Sequence, residues 1–546
     1  MNQTRRQFLK STTGGALVGV GIAASAQGAV KPVRMELGKF ASSPGRVDQL
    51  RSLFSMMRKK NASDPSSYFF QAAVHWLPRL GSADIQSSPD LKVLAEMFEA
   101  DKAGAVAAMN QWWNKCTHAG QKQKQDFVIW HRAYLYYFER HARKTLNDPT
   151  FALPYWDYRA NDRASRELPS PFRGASLSGG GENSLYPIRG LPREIDAAGL
   201  SLDASLVRTD AMLATDYYFT ELGFPGFGEA LQQDPQAIEA QPHNQVHGGV
   251  GGWLGTVATA AFDPIFWVHH TNIDRLVNVW LSSRPRYWSR SKAAEAVEAW
   301  LGESPFEFVD ASGAPDRKPR RFFLEQSNLG YVYDTDPPKI PLPQMPVAVQ
   351  VASAGVSLQG KTVTSLPKSV QSFSEVDAGA TTVPASIPAS SGATYSVPFA
   401  SSEVSAPVGG GKLPLAVLNQ SKSKTTFTVL VLEQVRRRGE RGGNYMVFVG
   451  PGADGGRDEN SQAYAGTFST FDAPGPDEPL PAPEYTFDIT RQVAGLKGSP
   501  QGLQVKIVPL GPVGADGKPV QTSRPGSVEI GRTTIRSRVG STNPVK

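Results

Sequence analysis

The sequence predicts a mainly α domain, a helical bundle, followed by a β-sandwich-like C-terminal domain. Three observations predict it. Apolar residues recur at three- and four-residue spacing over 45–146 and again over 262–282, which is helical periodicity. Between about 337 and 411 the composition turns to Ser, Ala, Val, Pro and Gly. From 412 onward, apolar and β-branched runs alternate with Gly/Pro turns. The 546 residues are 40% apolar and 20% charged, enough to bury a sizeable core and unlike a disordered chain.

The N-terminus reads Thr4-Arg5-Arg6-Gln7-Phe8-Leu9-Lys10, then a short weakly apolar run to Ala24, then Ala24-Ser25-Ala26. A basic start, a modest apolar stretch and small residues at a cleavage point resemble a twin-arginine signal over 1–26. The run is too short and Gly-rich for a stable membrane span. The twin-arginine machinery exports folded chains, so a periplasmic or secreted product with no stable membrane anchor is expected. The net charge is +7, and loss of Arg5, Arg6 and Lys10 leaves about +4. So small a surplus on a long chain gives no reason to expect nucleic acid. Cys116 is the single cysteine, which excludes an intramolecular disulfide and a Cys-based zinc site.

Helices are expected over 46–59, 67–76, 90–113 and 126–146, a Gly/Pro/Ser-rich loop over 160–205, and further helices near 204–221 and 262–282. The expected domains are 27–340, catalytic; 341–411, an extended linker with a few strands; and 412–546, β-rich.

The eight histidines all precede residue 271: His75, His118, His131, His141, His243, His247, His269 and His270. His243 and His247 stand at i and i+4, so both rings leave one helix face. Asp274 follows His270 by four residues and can anchor that helix or a ligand ring. A histidine-only set without carboxylates suits copper better than magnesium, calcium or non-haem iron.

The words around these histidines resemble the type-3 dicopper proteins: tyrosinases, catechol oxidases and haemocyanins. They are Trp130-His131-Arg132, Pro154-Tyr155-Trp156-Asp157, Pro242-His243-Asn244-Gln245-Val246-His247, Asp263 through Arg275 with its His269-His270 pair, and Gly330-Tyr331-Val332-Tyr333. The resemblance covers residues 40–335 well and the C-terminal region loosely. It implies a polyphenol oxidase with two copper ions and dioxygen, hydroxylating monophenols and oxidising o-diphenols to o-quinones. A catechol or o-aminophenol oxidase without hydroxylation stands as an alternative, and a haemocyanin-like oxygen carrier as a third. Carried across, His75, His118 and His131 would hold the first copper and His243, His247 and His270 the second. His141 and His269 stay unassigned. Twelve residues separate His118 from His131 where the family usually has eight, which points to a surface insert near 120–125.

Four further expectations rest on the resemblance. Cys116-Thr117-His118 is similar to the Cys-x-His of fungal tyrosinases, whose sulfur is bonded to the ring. Glu239 and Asn244 match a pair that holds a water for the phenolic proton. Val257 falls where plant enzymes often carry a bulky gate, and Phe266 is expected to pack between the copper helices. The β-rich C-terminus is similar to domains that shield the copper site until removed or loosened.

Overall fold

A computed structural model describes residues 31–345 and 372–541, apart from 79, 81–88, 118–123, 160–161, 189–192, 221–225, 229–236, 382–384, 389–390, 399–425, 439–441, 451–457, 459, 476–480, 495–501 and 521–526. The signal expected over 1–26, His118 and much of the expected linker therefore lie outside the described residues. Among those described, no helix is long and apolar enough to cross a membrane.

Five helices build the centre of the first region: α1 (Arg46–Arg58), α2 (Tyr68–His75), α3 (Phe127–Leu146), α4 (Gln245–Val250) and α5 (Ile265–Ser283). Their ends are set locally. Ser67 Oγ accepts the Phe70 N–H at 2.9 Å and starts α2. Asn147, at φ 50°, takes the left-handed conformation that ends α3. Asp263 accepts the Ile265 N–H at 3.2 Å and is gripped by the Arg193 guanidinium at 2.6 and 2.8 Å, fixing the start of α5. Helices α3 and α5 are buried along most of their length, so aromatic residues cover nearly their whole circumference.

A buried polar cluster ties α3 to α5. Strand β1 (Val33–Arg34) runs parallel to β4 (Val332–Tyr333) and delivers Arg34 into the core. Its guanidinium donates to Glu139 of α3 and Asp274 of α5, both at 2.8 Å, and lies 3.5 Å over the Tyr331 ring. Arg132 reaches from α3 to Asp274 and Asn278. A short antiparallel hairpin, β2 (Glu307–Val309) and β3 (Pro315–Arg317), leans on the outer side of α3.

The stretch near 204–221 departs from the helical expectation. It holds a 3-10 turn at Ala204–Val207 and a short helix at Asp210–Ala214, then extends. The Thr215 carbonyl there is taken by Trp280 Nε1 at 2.6 Å and an Arg286 amine at 3.0 Å. Tertiary donors serve backbone that a helix would otherwise satisfy internally.

The strand-bearing region starts at Ser372, not at 412 as the composition suggested. Strands β5 (Ser372–Thr381), β6 (Ala385–Ile387) and β7 (Ala393–Pro398) fall in the stretch read as linker. The rest are β8 (Thr426–Glu433), β9 (Arg436–Arg438), β10 (Asn444–Gly450), β11 (Tyr464–Ser469), β12 (Tyr485–Asp488), β13 (Gly502–Leu510), β14 (Ser527–Ile530) and β15 (Arg532–Ser541). They form antiparallel sheets in the orders β11-β10-β13-β7, β12-β8-β15-β5 and β6-β14-β9. Leu430, Val447, Phe468, Val505 and Ile535 pack between the two larger sheets.

Every residue of β10 is buried, and the alternation of strand side chains says why. Tyr445, Val447 and Val449 face the sandwich core, whereas Met446 and Phe448 join the core of the helical region. The β-rich unit is thus docked by one face onto the helices. Asn444 Nδ2 donates to the Gln245 carbonyl at 2.8 Å, and Val513 and Ser201 exchange backbone hydrogen bonds at 2.9 and 3.0 Å. Gly248 permits this approach, since a Cβ there would lie 2.7 Å from Asn444 Oδ1 and Ser469 Oγ.

Candidate metal centre

His75 is the last residue of α2, His131 lies in the second turn of α3, His243 precedes α4, His247 lies within α4, and His270 lies in α5. All five are buried. The Nε2 atoms of His243, His247 and His270 converge: 3.1 Å between His243 and His247, 3.3 Å between His243 and His270, and 3.2 Å between His247 and His270. Facing them, His131 stacks on His270 at 4.6 Å and 17°, and His75 lies 5.8 Å from His131.

The opposite ring atoms decide what the Nε2 atoms can do. His247 Nδ1 lies 2.7 Å from the Leu254 carbonyl, and His131 Nδ1 lies 2.8 Å from the Phe127 carbonyl. A carbonyl only accepts, so each Nδ1 carries the proton and each Nε2 keeps its lone pair. His243 Nδ1 sits 2.8 Å from Asn244 Oδ1, which imposes the same tautomer. Burial, and then the neighbouring imidazoles, hold His270 well below its ordinary pKa. Neutral imidazoles with lone pairs facing one point repel unless a cation lies between them. Nitrogens sharing a metal at about 2.0–2.1 Å must themselves stand a little over 3 Å apart, as these do. The donor set fits a copper ion.

The sequence left His269 aside, yet the structure brings it into the group. His269 lies with His243, His247 and His270 so that one ligand atom of each falls within 4.8 Å of the others. Its Nδ1 contacts the Tyr158 hydroxyl at 3.2 Å, and burial, then His131, holds its pKa down to about 3. The doubled His269-His270 was the available signal. His141 stands apart, its Nε2 3.0 Å from the Val309 carbonyl.

Cys116 Sγ is buried 3.4 Å from His131 Nε2. Burial, then the charge of Glu239, raises its thiol pKa. Glu239 is itself buried. Asn244 makes no side-chain cap to α4; its Oδ1 serves His243, and its Nδ2 is buried without a protein partner. Phe266 is fully buried, 3.9 Å from the His270 ring and 5.0 Å edge-to-face with His75.

Val257 meets a residue that sequence reasoning missed altogether. Its N–H donates at 3.4 Å to the carbonyl of Phe471, in the loop after β11. The Phe471 ring stacks on His247 at 3.9 Å and 19° and meets His243 edge-on at 5.5 Å. The flat face of a metal-site histidine is thus occupied by a side chain of the β-rich region. Thr470 N–H donates to the Gly443 carbonyl at 2.9 Å and steadies this loop.

Residues 65–283 match the common central domain of tyrosinase. A tyrosinase of Hahella sp. (strain CCB-MM4) is 28% identical over 326 residues, which are 55% of this chain and 65% of that protein. Polyphenol oxidase A1 of Vicia faba is 26% identical over 326 residues, 56% of this chain and 48% of that one. The chain spans between about half and two thirds of the length of these relatives. Among solved structures, latent apple tyrosinase aligns over 94% of this chain and 97% of its own, at 20% identity and a TM-score of 0.49.

Proposed function

We propose that this chain, whose residues 65–283 match the common central domain of tyrosinase, is a copper-dependent polyphenol oxidase held latent by its own β-rich region. One observation carries the reading: three Nε2 atoms converge within 3.3 Å, facing a second histidine group. In this reading His75, His118 and His131 hold the first copper and His243, His247 and His270 the second. Bound copper supplies the oxidising power of dioxygen toward phenols. The protein's part is to orient and to move a proton. The Leu254 and Phe127 carbonyls and Asn244 Oδ1 lock three ligand rings in the tautomer that leaves Nε2 available. Phe266 wedges His75 and His270 apart and fixes their planes.

Hydroxylating a monophenol requires loss of its proton, whose free pKa is about 10. Glu239 is the buried base for that proton, and Asn244 orients the water between them. Val257, beside the Phe471 loop, lines the way in. A Cys116–His118 thioether would hold the one ligand that lies on a loop. Export of the folded, metal-loaded chain by the twin-arginine route completes the reading.

A catechol or o-aminophenol oxidase is the second reading, favoured by one contact. Asn244 Oδ1 is already engaged by His243, so Asn244 can serve the ligand alone. Oxygen uptake by copper-loaded, activated protein with a plain phenol and with catechol separates the two, and reversible oxygen binding without catechol turnover would mark a carrier. Elemental analysis should find two coppers per chain and about one in His247→Ala. A His247→Ala variant that keeps both coppers and full activity would sink the assignment.

A further inference from the structure

Helix α3 carries a row of oxidisable rings from the metal centre to the outer surface. Trp130 lies 6.1 Å from the His75 ring and 4.9 Å from the His131 ring. Tyr134, one turn on, is 4.9 Å from Trp130. Phe308 of β2 closes over the row, 5.7 Å from Trp130, 6.4 Å from Tyr134 and 4.8 Å from Tyr137, on which it stacks at 17°. Tyr137 is 5.0 Å from Tyr136, whose ring lies 4.2 Å from the guanidinium of exposed Arg140. Positions 130, 134 and 137 are four and three residues apart, so they share one helix face. The β2–β3 hairpin that seats Phe308 pairs it with Asp316, a partly exposed carboxylate 3.0 Å from Lys318. Burial first, and the charge of Asp316 next, raises the Tyr137 phenol.

We propose that this row is an electron-transfer path that drains oxidising equivalents from the metal centre when dioxygen reaches it and no phenol does. The path would spare the histidine ligands from self-oxidation. This rests on copper occupying the centre. The need follows from Phe471: its ring covers the face of His247, and a covering that shuts out an aromatic substrate is a weaker barrier to a two-atom gas. Tryptophan and tyrosine lose an electron more readily than imidazole, and rings packed this closely exchange electrons by tunnelling.

The electrons balance as follows. One electron passes from Trp130 to the centre, which is reduced by one equivalent. Trp130 recovers it from Tyr137, across Tyr134 and the shared Phe308 contact. As Tyr137 loses its electron, its phenolic proton passes to Asp316. A catechol in solution, docking at Tyr136 and Arg140, returns one electron through Tyr136 and loses one proton to water, and Asp316 gives the first proton back. A second equivalent follows the same route.

The test uses the full chain, copper-loaded and metal-free, treated with hydrogen peroxide in the absence of phenol. Copper content, peptide mass mapping and the organic-radical EPR signal are read. In the copper-loaded native chain, oxidation should concentrate at Tyr136 and Tyr137, with a tyrosyl signal. Trp130→Phe should lower that signal several-fold, move oxidation onto His75 and His131, and speed copper loss. Tyr137→Phe, which changes no ring beside the ligands, should do the same if Trp130→Phe fails to load copper. Oxidation of Tyr136 and Tyr137 that is equal with and without copper, or unchanged in copper-loaded Trp130→Phe or Tyr137→Phe, overturns the proposal. Failure of the native chain to bind copper removes the metal reading itself and is recognised by the elemental analysis alone.

Discussion

Removing the Phe471 ring should wake the full chain. A buried aromatic side chain contributes roughly 1.5–3 kcal/mol by leaving water, and a stacked pair adds about 0.5–1.5 kcal/mol. The ring therefore favours the covered arrangement by about 2–4.5 kcal/mol, and each 1.36 kcal/mol is about tenfold in population. Backbone contacts, such as the Val257 N–H to the Phe471 carbonyl at 3.4 Å, survive in Phe471→Ala and keep the loop near. We expect at least about a thirtyfold rise in kcat/KM for catechol, the lower end of that range. A ring that competes with substrate reduces the binding-competent fraction, so the change should appear mainly as a lower apparent KM. The assay is quinone formation by the full chain at matched copper content. A second variant reaches the same place differently: a Cβ at Gly442 would fall 2.1 Å from the Gly255 carbonyl oxygen and 3.6 Å from Phe471 Cα. Gly442→Ala must push the covering loop outward and should also activate. Copper-loaded Phe471→Ala and Gly442→Ala proteins that are both as slow as the native chain would refute the reasoning.

Three further outcomes are expected. Asn244→Leu and Glu239→Gln should each lower monophenol turnover far more than diphenol turnover while copper content holds, measured as the ratio of the two rates; equal losses would mean that both residues only support the ligands. Intact mass should show the loss of two hydrogens if Cys116 and His118 are joined, and a thiol titrated in denatured, copper-loaded protein would exclude the bond. Asp274 is buried, which raises its pKa, yet Arg132 and Arg34 outweigh that and hold it below the ordinary value. Its contribution to stability is therefore complete above the unfolded pKa of about 3.9 and is lost as the pH falls through the lower folded value. Asp274→Asn leaves two buried guanidinium groups short of a partner and should cost about 3–5 kcal/mol in denaturant unfolding at neutral pH.

Much of this protein was legible because its chemistry is local. The i, i+4 spacing of His243 and His247 is a helix-face statement, and their Nε2 atoms do meet at 3.1 Å. The helices α3 and α5 were legible from apolar residues at three- and four-residue spacing, and the strands after 425 from alternation between turns. Where reading failed, long-range partners had intervened. The helix expected near 204–221 is cut short where Trp280 and Arg286 take the Thr215 carbonyl. The stretch expected to be a linker with a few strands holds β5 to β7: its Ser/Ala-rich composition carries little apolar signal, and pairing with β13, β14 and β15 sets those strands.

By itself the sequence determined the residue types that can hold copper, their spacing along the helices, and the order of a helical region before a β-rich one. These are properties of periodicity and side-chain chemistry, which a chain carries wherever it folds. Only the tertiary structure decided that His269 lies beside the His243, His247 and His270 group, that Cys116 lies beside His131, that β10 is covered on both faces, and that Phe471 stacks on His247. Each joins segments far apart in the chain or depends on which way a ring turns. A phenylalanine in a loop has no period to betray its target, and only packing of the β-rich unit onto α4 brings it to the metal centre.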